Sequence, residues 1–310
     1  MFKVRVPATS ANMGPCFDTA GIALSLYNEV EVYTGREADG RPLIESDCRI
    51  DPRIRCDETI PTDESNLIYS TVRDFCRDTG AEMPRFALCQ RDSIPLTRGL
   101  GSSAACIAAG LVIGNRLTGD RFSPRQLLDM AVRTEGHPDN VAPAFLGGMV
   151  VGAIDGDRFD YVRIPVSDRL AFLTLVPSFT LSTSKARSVL PESYTRAQAV
   201  FNCSRAALLV ASLMSGNFDA LAVAVQDAIH QPYRKALVPD MQAVFDKAMT
   251  LGSYGGYLSG AGPTLLLVNP ADKNAEIAAR MQEFTGSADS FRLVMPLAVD
   301  TEGIVVTEQL

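Results

Sequence analysis

The sequence predicts a protein of mixed helices and strands in two parts, and three observations carry that reading. The chain has 310 residues, long for one domain and comfortable for two. Strand-like and helix-like runs follow one another along all of it, with no internal repeat and no low-complexity tail. Each half holds a glycine-rich loop beside an apolar strand: residues 95–105 follow one at 85–89, and residues 255–264 lead into one at 265–268.

The elements follow in order from pattern and punctuation. Residues 2–6 alternate apolar and basic side chains, the period of a strand. Residues 7–18, Pro7-Ala8-Thr9-Ser10-Ala11-Asn12-Met13-Gly14-Pro15-Cys16-Phe17-Asp18, read as a small-residue loop. Residues 22–32 return as a strand or strand pair, and the polar, proline-containing stretch 34–62 as short strands and loops. Leu67, Ile68, Tyr69, Val72 and Phe75 fall at helical spacing, with Ser65 or Asn66 as N-cap and Gly80 as the stop. A strand at 86–90 feeds the first glycine loop. Residues 104–117 after it are apolar nearly all round, as in a buried central helix. Ser123-Pro124-Arg125-Gln126 is a capping box with proline at the first helical position, and its helix runs to about Arg133. Residues 134–140 read as a stop and 147–154 as a buried strand. The charged, glycine-containing 155–160 reads as a turn and a domain edge, which divides the chain into 1–160 and 161–310. The second part reads as a strand at 171–176, helices at 197–214, 218–230 and 240–251, the strand at 265–268, a helix near 274–284 and a strand near 291–299.

Composition narrows the function. The net charge of −7 argues against a general nucleic-acid binder, which needs basic partners for backbone phosphate, though it leaves room for a local basic pocket. The seven cysteines are odd in number and form no Cys-x-x-Cys, as expected of reduced thiols in the cytoplasm. His137 and His230 are too few for a histidine-rich metal site. Charges interrupt the first apolar run, unlike a signal peptide. No run of about 18 apolar residues is present, so no membrane span is expected.

Three stretches carry chemistry. Pro95-Leu96-Thr97-Arg98-Gly99-Leu100-Gly101-Ser102-Ser103-Ala104-Ala105 is a Gly/Ser turn that opens a helix. The first helical N–H groups have no partner within the helix and the dipole there is positive, so such a turn is suited to an anion. Glycines let the backbone approach a phosphate closely, and Ser102 or Ser103 can cap the helix, bind phosphate or reach a metal. The stretch also fits Gly-x-Gly-x-x-Ala, but no strand ending in an acid follows about 20 residues on, so a dinucleotide fold is not expected. It contains no lysine and is not a P-loop, which would leave phosphate neutralisation to backbone N–H groups and Mg²⁺. The polar groups Thr9, Ser10, Asn12 and Asp18 crowd one loop that can present an amide and a carboxylate to a polar ligand. Glu135, His137, Asp139 and Asn140 crowd another, where carboxylates can hold Mg²⁺ and one can orient or deprotonate a hydroxyl. A metalloprotease is excluded, because His-Glu-x-x-His is absent.

Taken together, these stretches resemble the GHMP kinases. Residues 7–18 are similar to that family's first block, residues 95–105 to its ATP-binding block, and Leu258-Ser259-Gly260-Ala261-Gly262-Pro263-Thr264 to its third. Within the family the resemblance is nearest to the homoserine kinases, through residues 135–143, Ser184-Lys185-Ala186-Arg187-Ser188-Val189-Leu190-Pro191 and residues 230–239. It covers residues 4 to about 268, with the blocks in order. It implies an α+β fold: an N-terminal α/β domain with a left-handed crossover, like ribosomal protein S5 domain 2, then a ferredoxin-like C-terminal domain. It implies ATP with its phosphates on residues 95–105, and phosphorylation of the side-chain hydroxyl of L-homoserine on the way to threonine.

The resemblance also places Arg187 and Arg234 at the substrate, where guanidinium forks suit a carboxylate. Asp18 would then hold the ammonium, and Asn12 the hydroxyl or the ammonium, with His137 beside them. Ser102 or Ser103 would share Mg²⁺ with Glu135, Ser103 being preferred. Asp139 or Asn140 would face the reacting hydroxyl. His230 is expected at a helix end, where its charge suits the dipole. Cys16 stands where the family's block has glycine. If that position needs a positive φ, the cysteine strains the loop by roughly 1–3 kcal/mol. A cytoplasmic homodimer, without nucleic acid or membrane as partner, completes the expectation. Rival readings are a GHMP kinase of another alcohol, which would not need two arginines with Asp18, and a non-catalytic relative, which would lose glycine-loop or Mg²⁺ residues.

Overall fold

A computed structural model describes residues 1–54, 59–286 and 291–308. The first half runs β1 (Phe2–Ala11), β2 (Ala20–Thr34), β3 (Ile44–Cys48), α1 (Leu67–Thr79), β4 (Phe86–Asp92), α2 (Ser102–Leu117), α3 (Pro124–Glu135), α4 (Pro138–Leu146), β5 (Met149–Asp155) and β6 (Arg158–Ile164). The second runs β7 (Leu170–Pro177), α5 (Thr183–Ser188), α6 (Arg196–Ser215), α7 (Leu221–Ala224), α8 (Gln231–Arg234), α9 (Met241–Thr250), β8 (Gly255–Leu258), β9 (Leu265–Pro270), α10 (Asn274–Gly286), β10 (Phe291–Leu297) and β11 (Val305–Glu308).

Alternation along β1 and β2 builds the first sheet. Val4, Val6, Val30 and Val32 are fully buried on one face, and on the other Lys3 pairs with Glu29 at 2.7 Å. The sheet order is β11-β1-β2-β4-β3, with β5 on β2 and β6 on β5. Its β3–β4 pair is parallel, the chain crossing between them through α1. The apolar α2 lies in the core, with Ala104, Ala105, Ala108 and Ala109 fully buried.

The second sheet has the order β10-β7-β9-β8, antiparallel throughout. With helices between β7 and β8 and between β9 and β10, this is the βαββαβ, 4-1-3-2 plan of a ferredoxin-like unit, as expected. Both faces are buried. Phe172, Leu266 and Val268 join the core shared with the first sheet, while Leu173, Leu175 and Leu267 pack with Val244, Ile277 and Met281 of α9 and α10.

Several boundaries differ from the sequence reading, each for a physical reason. β1 continues through Pro7 to Ala11, because Pro7 sits where the β1–β2 register shifts and its missing N–H breaks no ladder bond. The expected loop therefore begins only after Thr9 and Ser10 are fixed in a strand. Residues 138–146 form α4 despite Pro138 and Pro143. Pro138 starts the helix, and the backbone oxygen of Asp139, four residues before Pro143, packs on Gly21, where a Cβ would lie 1.7 Å away. Residues 218–230 are not one helix. The Asp227 carboxylate accepts from the N–H groups of Ile229, His230 and Gln231 and starts α8 afresh. His230 thus precedes a helix instead of ending one. A division at residue 160 falls inside β6, and β11 returns to pair with β1 of the first sheet. By length and composition alone α6 would be long and apolar enough to cross a membrane, but it is no unbroken apolar run, since Arg205 and Asn202 interrupt it. Its Asn202 amide donates to the Pro15 carbonyl (2.7 Å) and accepts from Ala228 N–H (2.9 Å), so the helix braces the 7–18 loop.

Candidate active site

A cavity of about 420 Å³ opens where the end of β1, the two glycine loops, α4 and α5 meet. Pro95, Leu96, Thr97, Arg98, Gly99, Leu100, Gly101, Ser102, Ser103 and Ala104 all line it, while Ala105 lies fully buried beneath. Gly99 and Gly101 take φ of +73° and +72°. A Cβ on Gly99 would meet the Ser259 carbonyl at 2.2 Å, and one on Gly101 the Thr9 hydroxyl at 2.0 Å. Glycine is needed at both for conformation and for space. Gly101 is the N-cap of α2 and offers no side-chain cap, so the first N–H groups of a 16-residue helix are left for an anion.

The second glycine loop clamps the first. Ser259 Oγ lies 2.7 Å from Ser10 Oγ and donates to the Gly99 carbonyl at 2.6 Å. Arg98, 2% exposed, also braces the loop. Its guanidinium donates to the carbonyls of Leu96 (2.9 Å), Pro177 (3.1 Å) and Ser178 (3.1 Å), which straps the loop to the end of β7.

At the other end the charged residues meet. Arg187 and Asp18 form a two-pronged pair, Nη2 to Oδ1 at 2.7 Å and Nη1 to Oδ2 at 3.1 Å. Arg234 lies beside them, 1% exposed, donating to the Ala186 and Gly260 carbonyls and to His230 Nδ1. Burial and the nearby Arg187 lower its pKa to about 10. His230 Nε2–H in turn donates to the Gly14 carbonyl at 2.7 Å, so the ring is neutral with Nδ1 as acceptor. Burial holds its pKa down to about 4. Asn12 lines the cavity with both ends of its amide engaged, donating to the Gly260 carbonyl (2.8 Å) and accepting from Asp18 N–H (3.0 Å). Asn12, Met13 and Asp18 all have positive φ, whereas Cys16 is outside that region, so a cysteine there adds no backbone strain.

The cluster at the start of α4 divides in two. His137 Nδ1 sits 3.1 Å from Asp139 Oδ1, and that bond raises the histidine's pKa. Asp139 is 3% exposed, and burial raises its pKa against the pull of His137. Asn140 Oδ1 accepts from the Thr9 hydroxyl at 2.8 Å. Glu135, on α3, has its pKa raised by burial, and the nearby Ser103 of α2 works in the opposite direction. Ser102 is buried while Ser103 is exposed, so of the two serines it is Ser103 that stands beside the carboxylate. Among the described residues no group of three His, Cys, Asp or Glu is placed to hold a metal alone, so a cation here would need ligand oxygens as well.

Several lining residues carried little signal. Ile60, Asn66, Leu67, Gln90 and Asp92 also line the cavity. Asn66 was legible only as an N-cap, which it is, accepting from Ile68 and Tyr69 N–H. Its Nδ2 also donates to Gln90 Oε1 at 2.9 Å. Nothing in the sequence marks the strand residues Gln90 and Asp92, because their place depends on which strands become neighbours.

Comparison with known proteins gives a consistent result. Residues 66–148 match the GHMP kinases N terminal domain and residues 205–286 the GHMP kinases C terminal domain. The chain is 41% identical to the homoserine kinase of Clostridium botulinum strain Alaska E43, covering 99% of this chain and 98% of that one. It is 41% identical to the homoserine kinase of a Synechocystis species, at 99% and 98%. The crystal structure of homoserine kinase from Cytophaga hutchinsonii superposes with a TM-score of 0.83 at 28% identity, covering 98% and 96%.

Proposed function

Because the chain belongs to the GHMP kinases, and within them to the homoserine kinases, we propose that it transfers the γ-phosphoryl group of ATP to the side-chain hydroxyl of L-homoserine. The observation that carries this reading is the Asp18–Arg187 fork, with Arg234 beside it, at one end of a cavity whose wall is the glycine loop. An amino acid brings one carboxylate and one ammonium. Its carboxylate replaces Asp18 on the Arg187 fork, with Arg234 as the second cation, and the freed Asp18 takes the ammonium. A sugar alcohol offers neither charge and would leave this pair unused.

The phosphates of ATP would lie on residues 95–105 at the start of α2, and the base at the far end between Ile60, Leu67 and Leu96. Ser103 and Glu135 fit Mg²⁺, because they present hard oxygen donors and Mg²⁺ commonly takes one or two carboxylates beside phosphate. When bound it would neutralise charge on the β- and γ-phosphates. The acceptor oxygen bonds to Pγ as the bond from Pγ to the β–γ bridging oxygen breaks. The hydroxyl proton passes to Asp139, held by His137, and ADP leaves. A loose phosphoryl transition state asks little of a strong base, so Asn140 and the arginines act mainly by positioning. The reading extends to a cytoplasmic homodimer in threonine biosynthesis without nucleic acid or membrane as partner, supported by the family resemblance.

The test is ADP release in a coupled assay with L-homoserine, L-threonine, L-serine and mevalonate. Homoserine alone should support turnover. Arg187→Ala should raise its KM by about 10–100-fold, the worth of hydrogen bonds to a charged group, with kcat changed far less. ATP binding without ADP release from any of the four acceptors would leave a GHMP kinase of another alcohol.

A further inference from the structure

Taking the cavity as that of a homoserine kinase, we propose that Thr9 is a positioning residue for the transfer: its hydroxyl fixes the Asn140 carboxamide so that Nδ2, a donor, faces the acceptor hydroxyl.

Thr9 is fully buried near the end of β1, and its backbone N–H donates to the Leu100 carbonyl of the glycine loop at 3.1 Å. Its Oγ1–H donates to Asn140 Oδ1 at 2.8 Å. The two meet only because residue 101 is glycine, where a Cβ would lie 2.0 Å from Thr9 Oγ1 and 3.2 Å from Asn140 Oδ1. A buried hydroxyl needs an acceptor for its proton, and of the two ends of a carboxamide only the oxygen can be one. With Oδ1 turned to Thr9, the NH₂ group is left for the cavity that Asn140 lines. An NH₂ has no proton-accepting lone pair, so Asn140 holds the substrate hydroxyl through its oxygen and leaves the O–H free to turn to Asp139. Thr9 thus links the strand, the phosphate loop and the group that aims the nucleophile.

Thr9→Val keeps the shape and removes the hydroxyl. It should lower kcat by about tenfold with both KM values within about threefold, because misplacing a catalytic contact costs rate more than affinity. Thr9→Ser should restore kcat to within about twofold. In an Asn140→Ala background Thr9→Val should cost nothing further, since the residue it positions is gone. Asn140→Asp places an acceptor where a donor is needed and should be less active than Asn140→Ala. This comparison stands even if Thr9→Val fails to fold. Thr9→Val with wild-type kcat, an equal loss in the Asn140→Ala background, or Asn140→Asp more active than Asn140→Ala would each overturn the proposal. Wild-type turnover with homoserine tests the function separately. Were homoserine inert, the same ratios would be read on ADP release with water as the acceptor.

Discussion

Arg234 and His230 show how a cation is kept in a dry site. The guanidinium is held by two carbonyls and an imidazole, and the imidazole must stay neutral to accept from it. Protonating His230 would put a second positive charge against Arg234 and break that bond, although Asp227 nearby opposes the effect. Its folded pKa of about 4 lies below the ordinary 6.5, so the unfolded chain binds the proton more readily between those values. The stability this group contributes is present above pH 6.5 and is lost as pH falls toward 4, by about 3 kcal/mol in all. Urea denaturation from pH 7 to pH 4 should show that loss, and His230→Gln should flatten it. An unchanged slope in the variant would assign the acid sensitivity elsewhere. The second residue-scale prediction concerns the metal. Glu135→Gln and Ser103→Ala should each raise the Mg²⁺ concentration for half-maximal activity by about tenfold, whereas Ser102→Ala should not. A Mg²⁺ titration at saturating ATP decides it, and an effect confined to Ser102 would reverse the assignment. At this scale the motifs were legible, since Asp18, Glu135 and Asp139 stand out in crowded polar loops and the family resemblance points to Arg187 and Arg234. What was not legible is pairing. The sequence offers Asp18 as a partner for an ammonium, and the fold pairs it with Arg187.

Elements are fixed by smaller features. α1 and α2 pack so closely that a Cβ on Gly110 would lie 2.5 Å from Thr71 Cβ and 2.9 Å from the Ile68 carbonyl. Gly110→Ala gains up to about 1 kcal/mol of helix propensity but must push apart two buried helices, which costs about 1–3 kcal/mol. The clash involves backbone, so a net loss is expected, seen as a lower urea midpoint with kcat and KM unchanged. A more stable variant would mean that α1 can shift freely. The helix ends followed local chemistry and were read correctly: Asn66, Ser123 and Gly80 cap as their types suggest. Of the misread elements, α4 is one where a tertiary contact overrode local preference, whereas residues 218–230 are broken by a local carboxylate cap. Gly21 makes room for the Asp139 carbonyl in one, and Asp227 takes three N–H groups in the other.

At the scale of the molecule, the two sheets share one core and meet around the cavity. Arg98 is one of the polar links between the two halves, joining the phosphate loop to the end of β7. Arg98→Met keeps most of the length but leaves three carbonyls without that donor, each worth about 1–3 kcal/mol when buried. Stability should fall by about 3 kcal/mol or more, and KM for ATP should rise by about tenfold as the loop loses its anchor. Equilibrium unfolding and an ATP titration test the two halves of that statement. Loss of stability with an unchanged KM would make Arg98 a strap between the sheets without influence on the nucleotide.

The sequence by itself determined the helix caps, the alternation of the strands, the anion-binding turn and the family, because each depends on residues close together in the chain. Only the tertiary structure decided which strands became neighbours. It thereby decided that Thr9 meets Asn140 across 131 positions, that Ser259 clamps Gly99, and that Arg98 reaches the end of β7. Those contacts follow from burying both faces of the second sheet and one face of the first, a condition no local stretch contains.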